Sequence, residues 1–500
     1  MLAFTSSQPR SVDIGSIWQR PKTVLDLSTQ TTPRSFTHDE TQTNSNLHSS
    51  TQTDLQPNQP QNIRLDVHQQ QKLVAFLDKA ERDVSSQLLR NLQSRAFDGF
   101  EVKWEDDVDT NSKLYELCDP HMDEDSEVTG LSWSHSGTTL AASYGRRDHA
   151  AWCTHQGRIS TWTLSSRRVV TDKPTFSAQV STCVMCIAYH PEQPTIIAGG
   201  TFHGQVIIWD TNKTENPVIG TSGDGELAHH ESVSYVAWIP SARSNTYDLL
   251  TASTEGKILI YSFSNDLAFP VAGSRIMLAN VARVEKSLSK VKANLPVGIT
   301  ALALQQTVGN AVDTVIVGTE TGFVLKCGAA GTRISDKNED APLSNPIIFG
   351  FNSHLGPVNS ISCSPFHRNL FLTCGNDREV RLYTALQPNP ILTFEPSSMD
   401  LSCAAWSNTR PAVYAVGSAD GHTYFYDLSK STTTPTSTLQ LTQLDKKPKT
   451  RITFLAFSNK PSDMFASGDA SGHVHVWQLS SNLSREAMGE MWTLDLLSSQ

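Results

Sequence analysis

The 500-residue chain lacks any run of about 18 consecutive apolar residues, which excludes an ordinary membrane-spanning helix. Its first residues lack a basic stretch followed by an apolar one, so we expect neither secretion nor membrane insertion. Eight cysteines are too few for a disulfide scaffold, which favours a reducing compartment such as the cytosol, the nucleus or the interior of a cilium. A net charge of −10 disfavours nucleic acid as a partner.

The motifs of the common enzyme classes are also missing. The sequence contains no phosphate-binding G-x-x-x-x-G-K-[ST] loop, no G-x-S-x-G nucleophile turn and no H-E-x-x-H metal helix. Cys183 and Cys186 form one C-x-x-C pair without a second pair, so we interpret them as small core residues. His473 and His475 share one strand face, but two histidines alone indicate a metal only weakly. We therefore predict no catalytic residue, no metal, no cofactor and no enzymatic activity.

Residues 1–62 are rich in Ser, Thr, Gln, Asn and Pro, and hold only nine charged residues. So little apolar surface cannot offset the entropy of ordering the chain, and we predict a disordered segment. Within it T-Q-T occurs three times, with glutamines 12 and 10 residues apart. Alternating Thr side chains suit a strand added to a partner's sheet edge, although chance in a biased tract is the alternative. The candidate binding residues are Thr29, Gln30, Thr31, Thr41, Gln42, Thr43, Thr51, Gln52 and Thr53.

Residues 63–97 predict an amphipathic helix. No Gly or Pro interrupts residues 64–96, and apolar residues recur at steps of three and four along one face. That face either packs on the following domain or docks on a separate partner, and we favour the partner. The candidate docking residues are Leu73, Leu77, Val84, Leu88 and Leu92. Residues 98–127 come next and are predicted to be a solvated acidic linker, since ten acidic residues between 105 and 127 face only Lys113.

Residues 128–480 hold seven similar units of about 50 residues each. Each unit has short strands of alternating polarity, separated by Gly, Asp, Asn and Pro turns. The unit at 299–329 lacks the aromatic residue that the others share in the final strand, so we expect it to be irregular. Asp377, Asp420 and Asp469 lie at turns, where we interpret them as structural. The shared aromatic residues are Trp162, Trp209, Tyr261, Tyr383, Tyr426 and Trp477.

A sheet built from such a unit has two apolar faces that it cannot hide alone, whereas radial stacking of seven sheets buries them. We therefore predict an all-β class, a seven-bladed β-propeller preceded by a disordered segment and an amphipathic helix. Closing the ring requires a strand from the far terminus, supplied either by residues 100–107 or by residues 486–496. Residues 481–500 are predicted to be a C-terminal tail.

This order of segments resembles the dynein intermediate chain family. The T-Q-T triplet is similar to the binding motif for dynein light chains of the LC-eight class, and the repeats resemble the WD40 blades of that family, as in IIAGGTFHGQVIIWD and HLGPVNSISCSPFHRNLFLTCGNDREVRLY. The segment ASYGRRDHAAWCTHQGRISTW, at 142–162, looks most like the intermediate chains of cytoplasmic dynein-2, the retrograde motor of intraflagellar transport.

The resemblance implies a non-catalytic motor subunit. Its propeller would bind the dynein heavy chain, and its arm would bind LC-eight-type, roadblock-type and, as a further candidate, Tctex-type light chains, next to a second intermediate chain. It also implies retrograde intraflagellar transport and cilium assembly, in the cytoplasm, the cytoskeleton and the cilium with its axoneme and basal body. The alternatives are an axonemal dynein intermediate chain, a WD40 scaffold of a ubiquitin ligase or trafficking assembly, and a propeller enzyme.

Overall fold

The computed structural model divides into two units, residues 1–100 and 101–500, which are described separately. Residues 66–93 are described in the first unit and residues 110–499 in the second, apart from 124, 150–151, 165–172, 214, 242–245, 264–266, 282–294, 306–311, 330, 335–342, 442–449, 461–462 and 488.

One helix, α1 (Val67–Gln93), makes up the described part of the first unit. At its start, the backbone N–H of Asp66 donates a hydrogen bond to the Gln69 side-chain oxygen at 3.2 Å. A Gln side chain that reaches back to a preceding backbone N–H satisfies one of the donors that a helix N-terminus leaves free. The structure thus confirms a helix within residues 63–97. The predicted disorder of residues 1–62 falls outside the described residues.

The second unit is built of short antiparallel strands. In its first half these are β1 (Ser112–Leu117), β2 (Glu127–Trp133), β3 (Thr139–Gly145), β4 (Gly157–Thr163), β5 (Phe176–Val180), β6 (Val184–Tyr189), β7 (Ile196–Thr201), β8 (Val206–Asp210), β9 (Val218–Thr221), β10 (Val233–Pro240), β11 (Tyr247–Ser253), β12 (Lys257–Ser262) and β13 (Pro270–Arg275). A 3-10 turn, Leu278–Asn280, follows β13.

The second half of this unit continues in the same way. Its strands are β14 (Ile299–Gln305), β15 (Thr314–Thr319), β16 (Val324–Gly328), β17 (Thr332–Arg333), β18 (Ile347–Gly350), β19 (Val358–Cys363), β20 (Leu370–Gly375), β21 (Val380–Thr384), β22 (Leu392–Phe394), β23 (Leu401–Trp406), β24 (Val413–Ser418), β25 (His422–Asp427), β26 (Ser437–Gln440), β27 (Ile452–Phe457), β28 (Met464–Asp469) and β29 (Val474–Gln478).

These strands form seven antiparallel sheets, in most of which consecutive strands are neighbours. The blades, in chain order, are β2-β3-β4-β5, β6-β7-β8-β9, β10-β11-β12-β13 with β17 added at the edge, β14-β15-β16-β18, β19-β20-β21-β22, β23-β24-β25-β26, and β27-β28-β29 with β1. The first strand of each blade contacts the first strand of the next, and β27 contacts β2. The ring is therefore closed, which confirms the predicted seven-bladed propeller.

The residues between and within blades pack as the repeat pattern predicted. The six shared aromatic residues are at most 7% exposed, and they lie in the apolar clusters at blade interfaces. The expected irregularity at 299–329 is wrong, because that blade has four strands. Cys327 takes the place of the aromatic residue there and is fully buried. A smaller apolar side chain fills the same position without breaking the sheet.

The closing strand is neither of the two predicted segments. β1 pairs antiparallel with β29, from Ser112 opposite Gln478 to Leu117 opposite Val474. Residues 100–107 lie outside the described residues, and residues 490–498 are helical. The predicted linker at 98–127 therefore contains a strand of the propeller, because only the last side chain of β1 is buried and the strand has no apolar alternation to reveal it.

The predicted tail at 481–500 also differs from the structure, which has two helices there, α2 (Ser481–Ser484) and α3 (Glu490–Ser498). Leu494 and Leu497 of α3 are buried in the apolar cluster between the fifth and sixth blades. At the start of α3, the Glu490 carboxylate accepts a hydrogen bond from Arg410 Nε at 2.8 Å, and Arg410 Nη2 also reaches Asp427 at 3.1 Å. Burial of this charged network ties the end of the chain to the propeller.

Candidate functional site

The nine residues of the three T-Q-T motifs lie outside the described residues, as all of residues 1–65 do. Their role as a light-chain binding segment stays a prediction from the sequence. The candidate helix residues are described in part. Leu73, Leu77, Val84 and Leu88 lie on α1, and Leu92 lies within the same helix.

The apolar side chains of α1 are exposed. Leu73, Leu77, Val84 and Leu88 are between 43% and 56% exposed, and Phe76 on the edge of the same face is 66% exposed. A soluble helix usually buries such a stripe, and a contiguous exposed apolar surface commonly marks a binding site. The face that the 3.6-residue period predicted is therefore available for a partner.

The centre of the propeller is a channel of about 1230 Å³, lined by the innermost strands of all seven blades. Hydroxyl side chains along it form hydrogen bonds between blades. Thr300 Oγ1 donates to the Val358 carbonyl at 2.6 Å, Ser360 Oγ donates to the Ala404 carbonyl at 3.1 Å, and Ser132 Oγ accepts from a backbone N–H at 2.9 Å. These hydrogen bonds join neighbouring blades around the channel.

Turn carboxylates hold the blades internally, as the sequence interpretation proposed for Asp377, Asp420 and Asp469. Asp420 accepts from the backbone N–H of His422 at 2.9 Å, and Asp469 accepts from that of His473 at 2.8 Å. The fifth blade adds His354, whose Nδ1 lies 2.8 Å from Asp377. These contacts confirm a structural role for the three carboxylates.

Two buried histidines show how these turns are held. His354 Nε2 lies 2.7 Å from the Thr373 hydroxyl, and His229 Nε2 lies 2.7 Å from the Thr251 hydroxyl. A carboxylate only accepts, so Nδ1 of His354 carries the proton and donates to Asp377. Burial lowers the pKa of His354, which favours the neutral ring whose Nε2 accepts from Thr373.

The same geometry determines the ionisation of the carboxylates that these histidines face. Burial alone would raise the pKa of Asp377, but the hydrogen bonds from His354 and from the backbone N–H of Leu355 keep it below its usual value. In the third blade, burial opposes ionisation of Glu255, whereas the His229 ring 3.6 Å away, a hydrogen bond from the His230 backbone N–H and the Lys257 ammonium lower its pKa to about 2. Both carboxylates are therefore ionised structural groups at neutral pH.

The structure gives different environments to the two weak metal candidates from the sequence, the His473/His475 pair and the Cys183/Cys186 pair. His475 Nε2 lies 3.0 Å from Asp469, so this imidazole belongs to the turn network. Cys186 donates to the Val233 carbonyl at 3.2 Å, as a small core residue does. Cys183, by contrast, contacts Cys153, and the group formed by His149, Cys153 and His155 was missed by sequence reasoning. Its signal was the H-x-x-x-C-x-H spacing, which repeats in no other blade.

Comparisons with known proteins agree with this architecture. Residues 235–479 match the family model described as the dynein axonemal intermediate chain 3 WD40 domain, and residues 172–210 match the WD domain, G-beta repeat. The chain is 36% identical over 434 residues to cytoplasmic dynein 2 intermediate chain 2 of mouse and of human, covering 86% of this chain and 80% of each relative. It is 24% identical to the cytoplasmic dynein 1 intermediate chain of Drosophila melanogaster, over 73% of this chain and 50% of that relative.

A closed ring of seven such blades defines a WD40 propeller protein. The chain belongs to the dynein intermediate chain family, as its similarity to the two dynein-2 intermediate chains over most of its length shows. Among the residues that the structure describes, no helix combines the length and the apolarity needed to cross a bilayer.

Proposed function

We propose that this chain is a non-catalytic intermediate chain of a dynein-2 motor, which supports retrograde intraflagellar transport and cilium assembly. The observation that carries the proposal is 36% identity across 86% of the chain to intermediate chains of that motor. The proposed location is the cytoplasm, the cytoskeleton and the cilium, including the axoneme and the basal body. Force generation and ATP hydrolysis belong to the heavy chain in this proposal.

The propeller is the proposed attachment to the dynein heavy chain. Its channel-lining hydroxyl groups hydrogen-bond adjacent blades, and its turn carboxylates hold their own blades, so this part of the chain is built as a rigid scaffold. Rigid surfaces bind a partner without paying for their own ordering. A scaffold that stays folded before assembly suits a subunit that anchors others to a motor.

The N-terminal arm is the proposed attachment for light chains. Dimeric light chains of the LC-eight type would bind the three T-Q-T motifs as added strands, and they would join this arm to that of a second intermediate chain. Once one dimer has bound, the remaining sites act at high effective concentration, so three weak motifs produce one stable junction. Tctex-type light chains are further candidates for this arm.

Helix α1 is the proposed docking site for a roadblock-type light chain. Leu77 and Leu88 are 53% and 56% exposed on its apolar face. Burying several such side chains in a partner groove yields about 25 cal/mol for each Å² of apolar surface removed from water. That contribution makes the face, rather than the charged side of the helix, the expected contact.

The T-Q-T motifs are tested by affinity purification of the full chain from ciliated cells, followed by mass spectrometry. We expect dynein heavy chain, light chains and a second intermediate chain to co-purify. Replacing Gln30, Gln42 and Gln52 together with Ala should remove the LC-eight-type light chain while the heavy chain stays bound. The matched control replaces Gln56, Gln59 and Gln61, glutamines of the same segment outside the motifs. Equal light-chain recovery in both triple variants would disprove the motif assignment.

The helix face is tested in the same assay. The double variant Leu77→Asp with Leu88→Asp should lose the roadblock-type light chain and keep the heavy chain. Its control, Ala75→Asp with Ser86→Asp, adds the same charge on the opposite face of the helix. Loss of the roadblock-type light chain from both variants would indicate that the substitutions disrupt the helix, and that binding does not depend on one face.

The identity of the co-purified heavy chain separates the dynein-2 assignment from an axonemal one. A dynein-2 heavy chain is the expected result, and an axonemal heavy chain would move the chain to the second class. Recovery of the complex with neither motor polypeptide nor light chains would overturn the proposed function as a whole.

A further inference from the structure

Four side chains with metal-binding atoms converge where the first blade meets the second. His149, Cys153 and His155 lie in the connection between β3 and β4, and their ligand atoms are all within 4.8 Å of one another. Cys183 lies just before β6, and its sulfur is 3.4 Å from the Cys153 sulfur. Residues from two blades therefore meet in one cluster.

The distances within this cluster are those of a shared coordination centre. His149 Nε2 lies 3.0 Å from His155 Nδ1 and 3.9 Å from the Cys183 sulfur. A tetrahedral zinc ion, with Zn–S near 2.3 Å and Zn–N near 2.0 Å, holds its ligand atoms about 3.3 to 3.8 Å apart. These separations lie around that range for His149, Cys153 and His155, whose ligand atoms form one group. Cys183 adjoins that group through Cys153 and His149, and its side chain must shift to become the fourth ligand.

We propose that His149, Cys153, His155 and Cys183 form a structural zinc site that joins the first and second blades. Two thiolates and two imidazoles are a closed ligand set for Zn²⁺, and they leave no open position for a reacting molecule. This combination of sulfur and nitrogen ligands in tetrahedral geometry favours zinc over magnesium or calcium, which prefer oxygen. The site goes beyond the proposed motor function, since it concerns the fold of the chain itself.

The surroundings of the cluster are arranged as an outer shell. The backbone N–H of Arg146 donates to the Cys183 sulfur at 3.3 Å, a hydrogen bond that stabilises a bound thiolate. The backbone N–H of Cys153 points to His203 Nε2 at 3.4 Å, and the His149 ring packs on Phe202 with centroids 4.7 Å apart. These contacts orient the ligands, of which Cys153 is buried and His149 and His155 are partly buried.

Two glycines allow the backbone of the first blade to approach Cys183 closely. A Cβ on Gly145 would lie 2.8 Å from the Cys183 Cβ, and a Cβ on Gly157 would lie 2.9 Å from the Cys183 Cα. Both glycines end or begin the strands that flank the ligand-bearing connection. A larger residue at either glycine would push the backbone at Cys183 away from the connection that bears the other three ligands.

The metal would stabilise an otherwise long connection. Trp152, within this connection, is 72% exposed, and its ring lies tilted against that of His203 with centroids 4.2 Å apart. A zinc ion bound at both ends of the segment would hold this exposed indole in one place on the propeller surface. Metal removal should therefore loosen residues 146–156 before it affects the rest of the ring.

The test is the metal content of the full-length chain, purified with reductant and without added metal. Elemental analysis should give about one zinc ion per chain, and Co²⁺ exchange should give the visible and thiolate charge-transfer absorption of a tetrahedral S₂N₂ site. Cys153→Ser and His155→Gln should each lower zinc content and change the Co²⁺ spectrum. Cys186→Ser is the matched control, since its thiol lies in the same blade as Cys183 but bonds a carbonyl, and it should retain the metal.

Several outcomes would overturn the site. If the wild-type chain contained no zinc and gave no Co²⁺ spectrum, the proposed site would be disproved directly. Equal metal content in Cys153→Ser and Cys186→Ser would disprove it as well. An intact mass that shows a Cys153–Cys183 disulfide persisting in reductant would also disprove the site. Chelation followed by limited proteolysis supplies an independent readout, with faster cleavage within 146–156 expected. None of these results depends on motor assembly, so failure of the proposed function and failure of the site are distinguishable.

Discussion

Two helices of this chain carry apolar residues in opposite ways. Leu77 of α1 is 53% exposed, and the other apolar residues of its stripe are similarly exposed. Leu494 of α3 is fully buried, and Glu490 at the start of α3 is 1% exposed beside Arg410. The shorter helix is part of the propeller core, whereas the longer one presents its apolar face to solvent.

The difference separates residues that stabilise the fold from residues that bind partners. Both helices have leucines at helical spacing, so the spacing alone does not distinguish them. What distinguishes them, within the described residues, is that the leucines of α3 at 494 and 497 are buried in a propeller cluster and those of α1 are exposed. Substitutions in α3 should therefore change the free energy of unfolding, and substitutions in α1 should change partner binding instead.

The largest expected effect is at the buried ion pair. Glu490→Ala leaves the Arg410 guanidinium without its main acceptor in a buried site, which typically costs about 3–5 kcal/mol. Urea unfolding of the full chain measures this change, and the exposed Glu486→Ala is the control. A loss below about 0.5 kcal/mol would place α3 with α1, as a helix outside the fold.

The two leucines give a matched comparison. Leu494→Ala removes a fully buried side chain from the cluster between the fifth and sixth blades and should cost about 2–5 kcal/mol. Leu77→Ala should change the unfolding free energy by less than about 0.5 kcal/mol, since its side chain is half exposed. Thermal and urea unfolding of both variants measure the contrast. Equal losses would show that α1 is also part of a cooperative core.

Acid should weaken the propeller through its turn networks. The pKa of Glu255 is about 2 in the folded chain against 4.5 for a free side chain, so its stabilisation is present above about pH 4.5 and is lost toward pH 2. Burial lowers the pKa of His229 below 6.5 in the folded chain. As the pH falls, His229 is therefore protonated in the unfolded chain before it is protonated in the folded one, and the free energy of unfolding also decreases below about pH 6.5.

The measurement is the free energy of unfolding as a function of pH for the wild type and for Glu255→Gln. The variant should show a shallower decline below about pH 4.5, because the group whose pKa differs between states is gone. The exposed Glu215→Gln should follow the wild-type curve. A wild-type slope in Glu255→Gln would mean that this carboxylate does not stabilise the blade.

The smallest expected effect is at a turn. Arg378 has a backbone φ of +66°, while the corresponding turn in the sixth blade has Gly421 at +81°. A side chain in this left-handed region costs roughly 1 kcal/mol, so Arg378→Gly should stabilise the chain by about 0.5–1 kcal/mol. Gly421→Arg should destabilise it by at least as much, because a Cβ there would lie 2.9 Å from the Thr450 carbonyl. Identical unfolding curves for all three proteins would exclude turn strain.

The sequence predicted the parts of the fold that repeat. Seven units, their aromatic positions and the structural Asp turns could be found because the same physical requirement recurs in every blade. β1 could not be predicted, because an edge strand with one buried side chain shows no alternation of apolar and polar residues. Its pairing with β29 also joins positions that are distant in the sequence. Buried Glu490 resembles a surface residue until Arg410 is brought next to it.

The outermost strands were also weakly indicated. β9, β18 and β22 have only three or four residues each and no fully buried position, so period-two patterning cannot be read from them. The group of side chains proposed above as a metal site was missed for a related reason. Three of its members are local, but Cys183 reaches them only because neighbouring blades meet.

The seam between β1 and β29 sets the order in which the molecule can be completed on the ribosome. β1, which closes the ring, is the first strand of the propeller to be synthesised, and β29, with which it pairs, is the last. The nascent chain therefore has an unpaired strand edge through nearly all of translation. Truncated products would keep that edge open, which makes them substrates for chaperones or for aggregation. Only a finished chain can hide it, and the fold thereby distinguishes whole copies from incomplete ones before any motor is assembled.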